Sequence, residues 1–220
     1  MKRTLVLCVS WKGPSEQTRR TIAELERAGA STMFHTGVTD VSLARSIALS
    51  EAVQLSDRAP DLWTLLLLDD DISVTVDDAQ NLIDASRRLE RPVSGCYGTA
   101  GGVLAASLMH GQAGDFWLTG LGFFAVPFPM MRNLRDRLPV LDHVGKRFEP
   151  FCCTGRHPSK PETWTSEDFW LCRELGGVHL APIPAVHWKV LPMNVPARTL
   201  EQVATLFPGR VPATTKGQGG

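Results

Sequence analysis

The feature that most constrains the fold is an apolar run followed at once by acidic residues. Residues 63–68 read Trp-Thr-Leu-Leu-Leu-Leu, and Asp69, Asp70 and Asp71 come directly after them. A continuous apolar run of this length is typical of a strand that is covered on both faces. Such strands occur in parallel sheets with helices on both sides. The run therefore predicts a central strand of an α/β domain.

The segments around this run alternate between strand and helix patterns. The predicted strands are 4–9, 31–35, 63–68 and 92–97, and the predicted helices are 14–29, 41–56 and 77–90. Pro14 is expected to open the first helix, and Thr39 or Asp40 to cap the second. Because strands and helices alternate, the sheet in this half is predicted to be parallel.

The pattern changes after the glycine-rich stretch 98–102. Three short apolar runs without intervening helices predict hairpins or mixed strands, and they lie at 103–109, 116–118 and 122–126. Helices at 130–137 and 166–175, a polar loop at 154–165 and a last strand near residue 178 complete the pattern. We therefore expect one α/β domain over residues 1–212, with a mostly parallel, mixed central sheet, and a disordered tail at 213–220.

Composition limits the classes of function. Lys and Arg together number 23, as do Asp and Glu, so the formal net charge is zero. The chain therefore lacks the net positive charge that would indicate a nucleic acid or an anionic membrane as its partner. The five cysteines show no CxxC spacing, which argues against a zinc site and a disulfide framework. The apolar run at 4–9 is too short for a signal peptide or a membrane span. These features predict a cytoplasmic protein without a membrane anchor.

The acidic triplet is placed where open α/β sheets bind ligands, beyond the carboxyl end of a buried strand. So much like charge in one place favours a compensating hard cation, Mg²⁺ or Mn²⁺, with Asp69 and Asp71 beside a diphosphate. The alternative is a solvated strand-to-loop turn, which is more common for single acidic residues than for three in a row.

Two later motifs carry further candidate residues. Glu167 and Asp168 lie in the first turn of a predicted helix, where Asp168 could serve as a general base. The alternative is structural, because Thr165 and Asp168 have the spacing of a capping box. His187, in Ala-Val-His-Trp-Lys, is a chemically reasonable third metal ligand that favours Mn²⁺, although a lone histidine is usually an ordinary residue.

Together these motifs resemble the GT-A glycosyltransferases, and particularly the family-2-like inverting enzymes, over residues 4–189. In this resemblance Leu-Ala-Arg-Ser-Ile at 43–47 is similar to the segment whose arginine helps to hold the nucleotide, which implies that role for Arg45. Leu-Asp-Asp-Asp-Ile at 68–72 looks like the DxD motif. That implies Asp69 near ribose or metal and Asp71 as a direct ligand.

The resemblance also implies roles later in the chain. Thr-Gly-Leu-Gly-Phe-Phe-Ala at 119–125 is similar to the strand lining the donor sugar and acceptor, with Trp117 as a stacking surface. The remaining implied assignments are Gly120 and Gly122 in that pocket, Glu167 and Asp168 in the catalytic motif, His187 as the late metal ligand, and Ser10, Trp11 and Asp70 beside the nucleotide. Ser10 and Trp11 lie in a segment, 10–13, that departs from the family pattern, as does Ser46 where asparagine is frequent.

The function implied is transfer of a sugar from a nucleoside-diphosphate sugar, with a UDP-sugar favoured, to an acceptor hydroxyl. The resemblance implies a hexosyltransferase-like enzyme, with inversion favoured by Asp168 as the base, while retention stays open because GT-A folds support both. Residues 1–100 would form the nucleotide-binding half and residues 101–190 the acceptor half. The 154–165 loop would close over the donor as a lid. The acceptor stays open among saccharide, lipid, protein, small metabolite and hydroxymethylated DNA base, because a nucleic-acid acceptor is not excluded.

Two other classes of function compete with this interpretation. Haloacid-dehalogenase-like phosphatases also place Asp-x-Asp after an apolar strand, which would make Asp69 a nucleophile. In that family Thr or Val usually stands where this chain has Ser73, and the motif normally begins the domain. The second alternative is a domain that binds a nucleotide sugar or a glycan without catalysis.

Overall fold

The computed structural model describes residues 1–98, 104–111, 114–156, 164–188 and 192–193. The helices are α1 (Glu16–Arg27), α2 (Val41–Arg58), α3 (Val76–Leu89), α4 (Phe128–Arg135) and α5 (Glu167–Glu174). The strands are β1 (Thr4–Ser10), β2 (Ser31–Thr36), β3 (Thr64–Leu68), β4 (Ile72–Ser73), β5 (Val93–Cys96), β6 (Ala106–Gly111), β7 (Gly114–Thr119), β8 (Phe123–Pro127), β9 (Leu141–His143), β10 (Lys146–Phe148), β11 (Gly155–Arg156), β12 (Trp164–Thr165), β13 (His179–Pro184), β14 (Val186–Trp188) and β15 (Pro192–Met193).

The centre of the fold is a six-stranded sheet in the order β13-β5-β8-β3-β1-β2. Strands β2, β1 and β3 are parallel to one another, and β5 is parallel to β13. Strand β8 runs antiparallel between β3 and β5. The predicted α/β class, with a mostly parallel, mixed central sheet flanked by helices, is confirmed.

Strand β3 is buried throughout because it lies between two hydrophobic layers. Successive side chains of a strand point to opposite faces. Leu65 and Leu67 pack in the layer that includes residues of α2, α4 and α5. Leu66 and Leu68 pack in the layer that includes residues of α1 and α3. Both faces of the strand are therefore buried, as the apolar run predicted.

Side-chain caps fix where three of the helices begin. The side chains of Ser15, Asp40 and Thr75 accept hydrogen bonds from the backbone N–H groups at the start of α1, α2 and α3. Helix α1 therefore begins at Glu16 and not at Pro14, and Asp40, one of the two expected residues, caps α2. Each cap satisfies an N–H group that has no partner within the helix.

The second half contains more short strands than the sequence indicated. The predicted hairpin is present as β6 and β7, while the pairs β9–β10 and β11–β12 and the small sheet β15-β14-β4 were missed. Strands this short carry too little periodicity to be recognised from one sequence. The ends of the predicted 154–165 loop pair as β11 and β12. Its middle, 157–163, and the predicted tail, 213–220, lie outside the described residues, so the lid stays a prediction.

Two chemical expectations concern the whole chain. All five cysteines are free thiols, and four of them are buried. Among the described residues, no helix has both the length and the apolar character needed to cross a bilayer.

Candidate active site

Six of the predicted site residues line a cleft at the carboxyl ends of β1 and β3: Ser10, Trp11, Arg45, Asp69, Asp70 and Asp71. Ser10 ends β1, the acidic triplet follows β3, and both contribute to this open cleft of about 230 Å³. The other lining residues are Val9, Val38, Thr39, Val41 and Ala44. The cleft is formed here because parallel strands present their carboxyl ends at the same edge of a sheet.

Arg45 connects three carboxylates from separate parts of the chain. Its Nη2 lies 2.7 Å from Oδ1 of Asp69, and its Nη1 lies 3.1 Å from Oε1 of Glu167 and also contacts Oδ1 of Asp168. Burial disfavours the charged guanidinium, but attraction by these carboxylates outweighs burial and raises the pKa of Arg45 well above its ordinary value. The pairs join the end of β3 to the start of α5.

Asp168 is a carboxylate whose affinity for protons is increased. Burial, together with the negative charges of Asp69 and Glu167, raises its pKa to about 6, although Arg45 and the backbone N–H of Leu121 act in the opposite direction. Helix α5 is capped at Ser166 without a side-chain capping bond, and Asp168 points to Arg45. The alternative that Thr165 and Asp168 form a capping box is therefore wrong.

Asp70 attaches the edge of the cleft to the loop between β1 and α1. Its Oδ2 accepts a hydrogen bond of 2.5 Å from Oγ of Ser10, which in turn accepts one from the N–H of Gly13. The carbonyl of Asp70 accepts a further bond from the N–H of Ser15. Trp11, in the same loop, lines the cleft and leaves half of its surface exposed.

Asp71 faces His187 across the small sheet β15-β14-β4. Oδ1 of Asp71 lies 3.2 Å from Nε2 of His187, and Nδ1 of that ring lies 2.7 Å from the carbonyl oxygen of Gly98. A carbonyl oxygen only accepts hydrogen bonds, so Nδ1 carries a proton. Nε2 is then either a second donor toward Asp71 or a lone pair available to a cation that both groups share.

The predicted metal ligands do not form one preformed cluster. Asp69 is turned toward Arg45, whereas Asp71 is turned toward His187. In the part of the chain that the structure describes, no group of three or more His, Cys, Asp or Glu side chains is arranged to hold a metal ion. The metal assignment to Asp69, Asp71 and His187 therefore stays a prediction.

The absence of a side chain at Gly120 and Gly122 leaves room for Tyr97, a residue that the sequence analysis missed. A Cβ at Gly120 would lie 2.0 Å from Oη of Tyr97, and one at Gly122 would lie 2.9 Å from Oδ2 of Asp69. The N–H of Gly122 donates to the Tyr97 hydroxyl at 2.9 Å, and the edge of the ring meets His187 with centroids 5.8 Å apart. Burial, followed by the charge of Asp69, raises the pKa of Tyr97 above its ordinary value.

Tyr97 gave one signal in the sequence, since it is the chain's single tyrosine and immediately precedes the glycine-rich stretch.

Trp117 is half-buried against the small cluster of Cys96 and Leu180, and its backbone pairs with Val178. Whether Trp117 contacts a sugar stays a prediction, as do the pocket roles of the two glycines.

Ser46, which departs from the family pattern, has a structural role. Its Oγ donates to the carbonyl of Cys152 at 2.9 Å and accepts from the N–H of the same residue at 3.0 Å. Ser50, four residues after Ser46 in α2, makes the same two hydrogen bonds to the backbone of Glu149. Ser42, four residues before Ser46, shares a hydrogen bond with the hydroxyl of Thr154. This serine stripe attaches segment 149–154 to α2, beside Arg45.

Comparison with known proteins extends the description of the fold. No family model matches the chain, and a search of curated proteins found no match. Among solved structures, the crystal structure of A197 from STIV matches with a TM-score of 0.55 and 15% identity, over 89% of this chain and 91% of that one. A glycosyltransferase involved in the glycosylation of the major capsid of PBCV-1 matches with a TM-score of 0.44 and 13% identity, over 81% of each chain. At these identities the likeness concerns the fold and assigns no activity.

Proposed function

We propose that this chain is a metal-dependent glycosyltransferase that moves a sugar from a nucleoside-diphosphate sugar, with a UDP-sugar favoured, to an acceptor hydroxyl. The observation that carries the proposal is the convergence of Asp69, Asp71, Asp168 and His187 at one edge of the sheet, beside a cleft. Charged groups of both signs, placed beyond the carboxyl ends of strands, are suited to a polar, phosphate-bearing ligand.

Asp168 is proposed as the base that accepts the proton of the acceptor hydroxyl. With a pKa of about 6 it is mostly ionised at neutral pH, and it binds a proton more readily than an ordinary aspartate does. Arg45 fixes the position of its carboxylate while also holding Asp69 and Glu167. We therefore propose Arg45 as a positioning residue, in addition to the nucleotide contact that the resemblance implies.

The donor set fits a divalent cation. Asp71 offers a carboxylate oxygen, and His187 offers Nε2, with its tautomer fixed by the carbonyl of Gly98 in the way that metal-binding imidazoles are commonly held. An oxygen and an imidazole nitrogen suit Mn²⁺, with Mg²⁺ as the alternative. Asp69 would join this set once a cation is bound. The cation would supply the positive charge that stabilises a departing diphosphate.

The cleft beside these residues is proposed to hold the nucleotide. Trp11 offers an exposed aromatic surface at its rim, and the bond between Ser10 and Asp70 holds the loop that carries the tryptophan. A planar base can pack on such a surface. Trp117, Gly120 and Gly122 remain the proposed residues of the sugar and acceptor pocket, with the acceptor itself undetermined.

Thermal unfolding against a panel of nucleoside diphosphates and nucleotide sugars, with Mn²⁺, with Mg²⁺ and with chelator, tests the proposed donor and cation. Binding to the native state raises the melting temperature, so one nucleotide sugar should raise it in a metal-dependent manner. Asp71→Asn should abolish the metal dependence, whereas Asp84→Asn, an exposed change on α3, should leave it intact. Absence of a shift with every nucleotide in folded protein would contradict the proposal.

Replacing Asp168 tests catalysis separately from binding. Asp168→Asn should keep the melting shift with the donor and lose sugar transfer by about 100-fold or more, the usual contribution of a general base. If the unaltered chain and the Asp168→Asn variant both bind the donor and neither transfers the sugar, the chain is a non-catalytic binding domain. Release of phosphate from a phosphate ester that depends on Asp69, without sugar transfer, would identify the phosphatase alternative.

A further inference from the structure

A second cleft lies at the opposite edge of the central sheet. It has a volume of about 250 Å³ and is lined by Arg3, Trp63 and Arg87. Arg3 immediately precedes β1, and Trp63 immediately precedes β3, whereas the acidic triplet follows the other end of β3. Because β1 has seven residues, this Arg3–Trp63–Arg87 cleft is about 20 Å from the candidate active site.

Both arginines are held in place by neutral oxygens. Nε of Arg87 donates to Oγ1 of Thr64, and its Nη2 donates to the carbonyl of Lys2 and to Oγ1 of Thr4. Nε of Arg3 donates to the carbonyl of Asp61. Within the described part of the chain, neither guanidinium has a direct ion pair with a carboxylate, in contrast to Arg20 with its partner Glu16.

The local backbone and electrostatics both distinguish this cleft from an ordinary surface. Arg3 has a φ of 65°, a left-handed conformation that is uncommon for residues other than glycine, asparagine and aspartate. Burial, with a contribution from the neighbouring Arg3, lowers the pKa of Arg87, against the opposing attraction of Asp84. Two cations are thus kept close together at some cost, and a bound anion would remove their repulsion.

We propose that the Arg3–Trp63–Arg87 cleft binds a phosphate group, either free or carried by a small aromatic molecule that packs on Trp63. Guanidinium groups bind phosphate oxygens through paired, charge-assisted hydrogen bonds. The aromatic wall would contribute apolar contact and stacking with the organic part of the ligand. This proposal concerns the edge of the sheet away from the acidic triplet, so it does not depend on the proposed transferase activity.

Titration calorimetry on the full chain, in chelator, tests the proposal with inorganic phosphate, a nucleoside monophosphate and the parent nucleoside. Without a cation, the acidic cleft repels these anions, so binding should report the Arg3–Trp63–Arg87 cleft. We expect Arg3→Asn to weaken phosphate binding about tenfold, the loss of one charge-assisted contact. Asparagine tolerates the left-handed conformation, so this variant should fold, and an unchanged melting temperature would verify that.

Two further variants serve as controls. Arg20→Gln removes an exposed positive charge on α1, and Asp71→Asn alters the candidate active site; both should bind phosphate as the unaltered chain does. Tighter binding of the monophosphate than of phosphate would assign an aromatic ligand, and equal binding would assign free phosphate. The proposal is overturned by undetectable binding of both anions, by equal binding in Arg3→Asn, or by a nucleoside that binds as tightly as its monophosphate.

Discussion

At the scale of single residues, the candidate site is governed by a balance of charge. Asp69, Glu167 and Asp168 share the single guanidinium of Arg45 within a partly buried region. Burial, together with the negative charges of Asp69 and Glu167, raises the pKa of Asp168 to about 6, and the one cation opposes this shift without cancelling it. This arrangement is suited to chemistry more than to stability, because it favours a proton or a second cation.

The titration of Asp168 predicts how stability and activity depend on pH. Its folded-state pKa of about 6 lies above the ordinary value of 3.8, so the folded chain binds this proton more tightly than the unfolded chain does. Its contribution to stability is therefore full below about pH 4 and is lost as the pH rises to about 6. Asp168→Asn should remove this dependence and raise the free energy of unfolding by up to about 3 kcal/mol at pH 7. Urea denaturation at several pH values measures both effects, and a variant that is less stable at pH 7 would contradict the assignment. If Asp168 is the base of the proposed reaction, sugar transfer by the unaltered chain should decline as the pH falls below about 6.

Removing the guanidinium should have the opposite effect on stability. Arg45→Met leaves three carboxylates without their shared partner, so we expect a loss of about 3 kcal/mol at pH 7. The loss should shrink at about pH 4, below the raised pKa of Asp168, because that carboxyl group then binds a proton and no longer needs the guanidinium. Arg20→Gln, which breaks an exposed pair with Glu16, should change stability by less than about 0.5 kcal/mol. Equal effects of the two variants would show that Arg45 does not hold the acidic cluster together.

At the scale of elements, short connections place the site residues with little freedom. The turn between β7 and β8 carries Gly120 and Gly122 against Tyr97, and the serine stripe of α2 holds the segment that follows β10. Neither device contributes a charge to the site. Both constrain where the site residues lie. Gly122 packs against the carboxylate of Asp69, and Ser46, which is bonded to Cys152, follows Arg45 in α2.

Gly120→Ala should destabilise the turn through a steric clash. The added Cβ would lie 2.0 Å from Oη of Tyr97, and overpacking of this kind typically costs about 1–3 kcal/mol. Tyr97→Phe removes that oxygen, so the double variant should recover part of the loss. Thermal unfolding of the two single variants and the double variant measures the coupling between them. Strict additivity of the two changes would refute the contact.

Ser46→Ala should also lower stability, because it leaves the backbone N–H and carbonyl of Cys152 without their partner. Two buried groups without hydrogen bonds predict a loss of about 2 kcal/mol, measured by urea denaturation. Ser42→Ala, at the exposed end of the same stripe, is the matched control and should cost less than about 0.5 kcal/mol. A loss at Ser42 as large as that at Ser46 would argue against the proposed clamp.

At the scale of the whole molecule, stability and function are located in different places. Hydrophobic layers on the two faces of the sheet stabilise the fold, whereas the charged groups that would carry the function lie beyond the ends of its strands. Both faces of β3 are packed by side chains, whereas the groups proposed to bind a cation lie beyond its end. Two clefts of opposite charge lie at opposite edges of the same sheet.

The chain is therefore expected to fold without a cation. Protein treated with a chelator should keep its helical circular dichroism signal and a cooperative thermal transition, because the apolar layers and the pairs of Arg45 are independent of metal. Addition of Mn²⁺ should then raise the melting temperature only by the amount that binding supplies. Loss of the cooperative transition in chelator would show instead that the metal is structural.

The order of the longer elements and the position of the acidic triplet could be predicted from the sequence alone, because periodicity and apolar runs are local properties. It also indicated Asp168 and His187 as candidates, but it left a capping box as an alternative for Asp168. The folded chain resolves that question, because the partner of Asp168 is Arg45, which is 123 positions away along the chain. The structure likewise separated Asp69 from Asp71, which face different partners although one residue lies between them. It also revealed Tyr97 and the Arg3–Trp63–Arg87 cleft, because contacts between residues distant in the chain arise only when the strands assemble, and no local pattern encodes them.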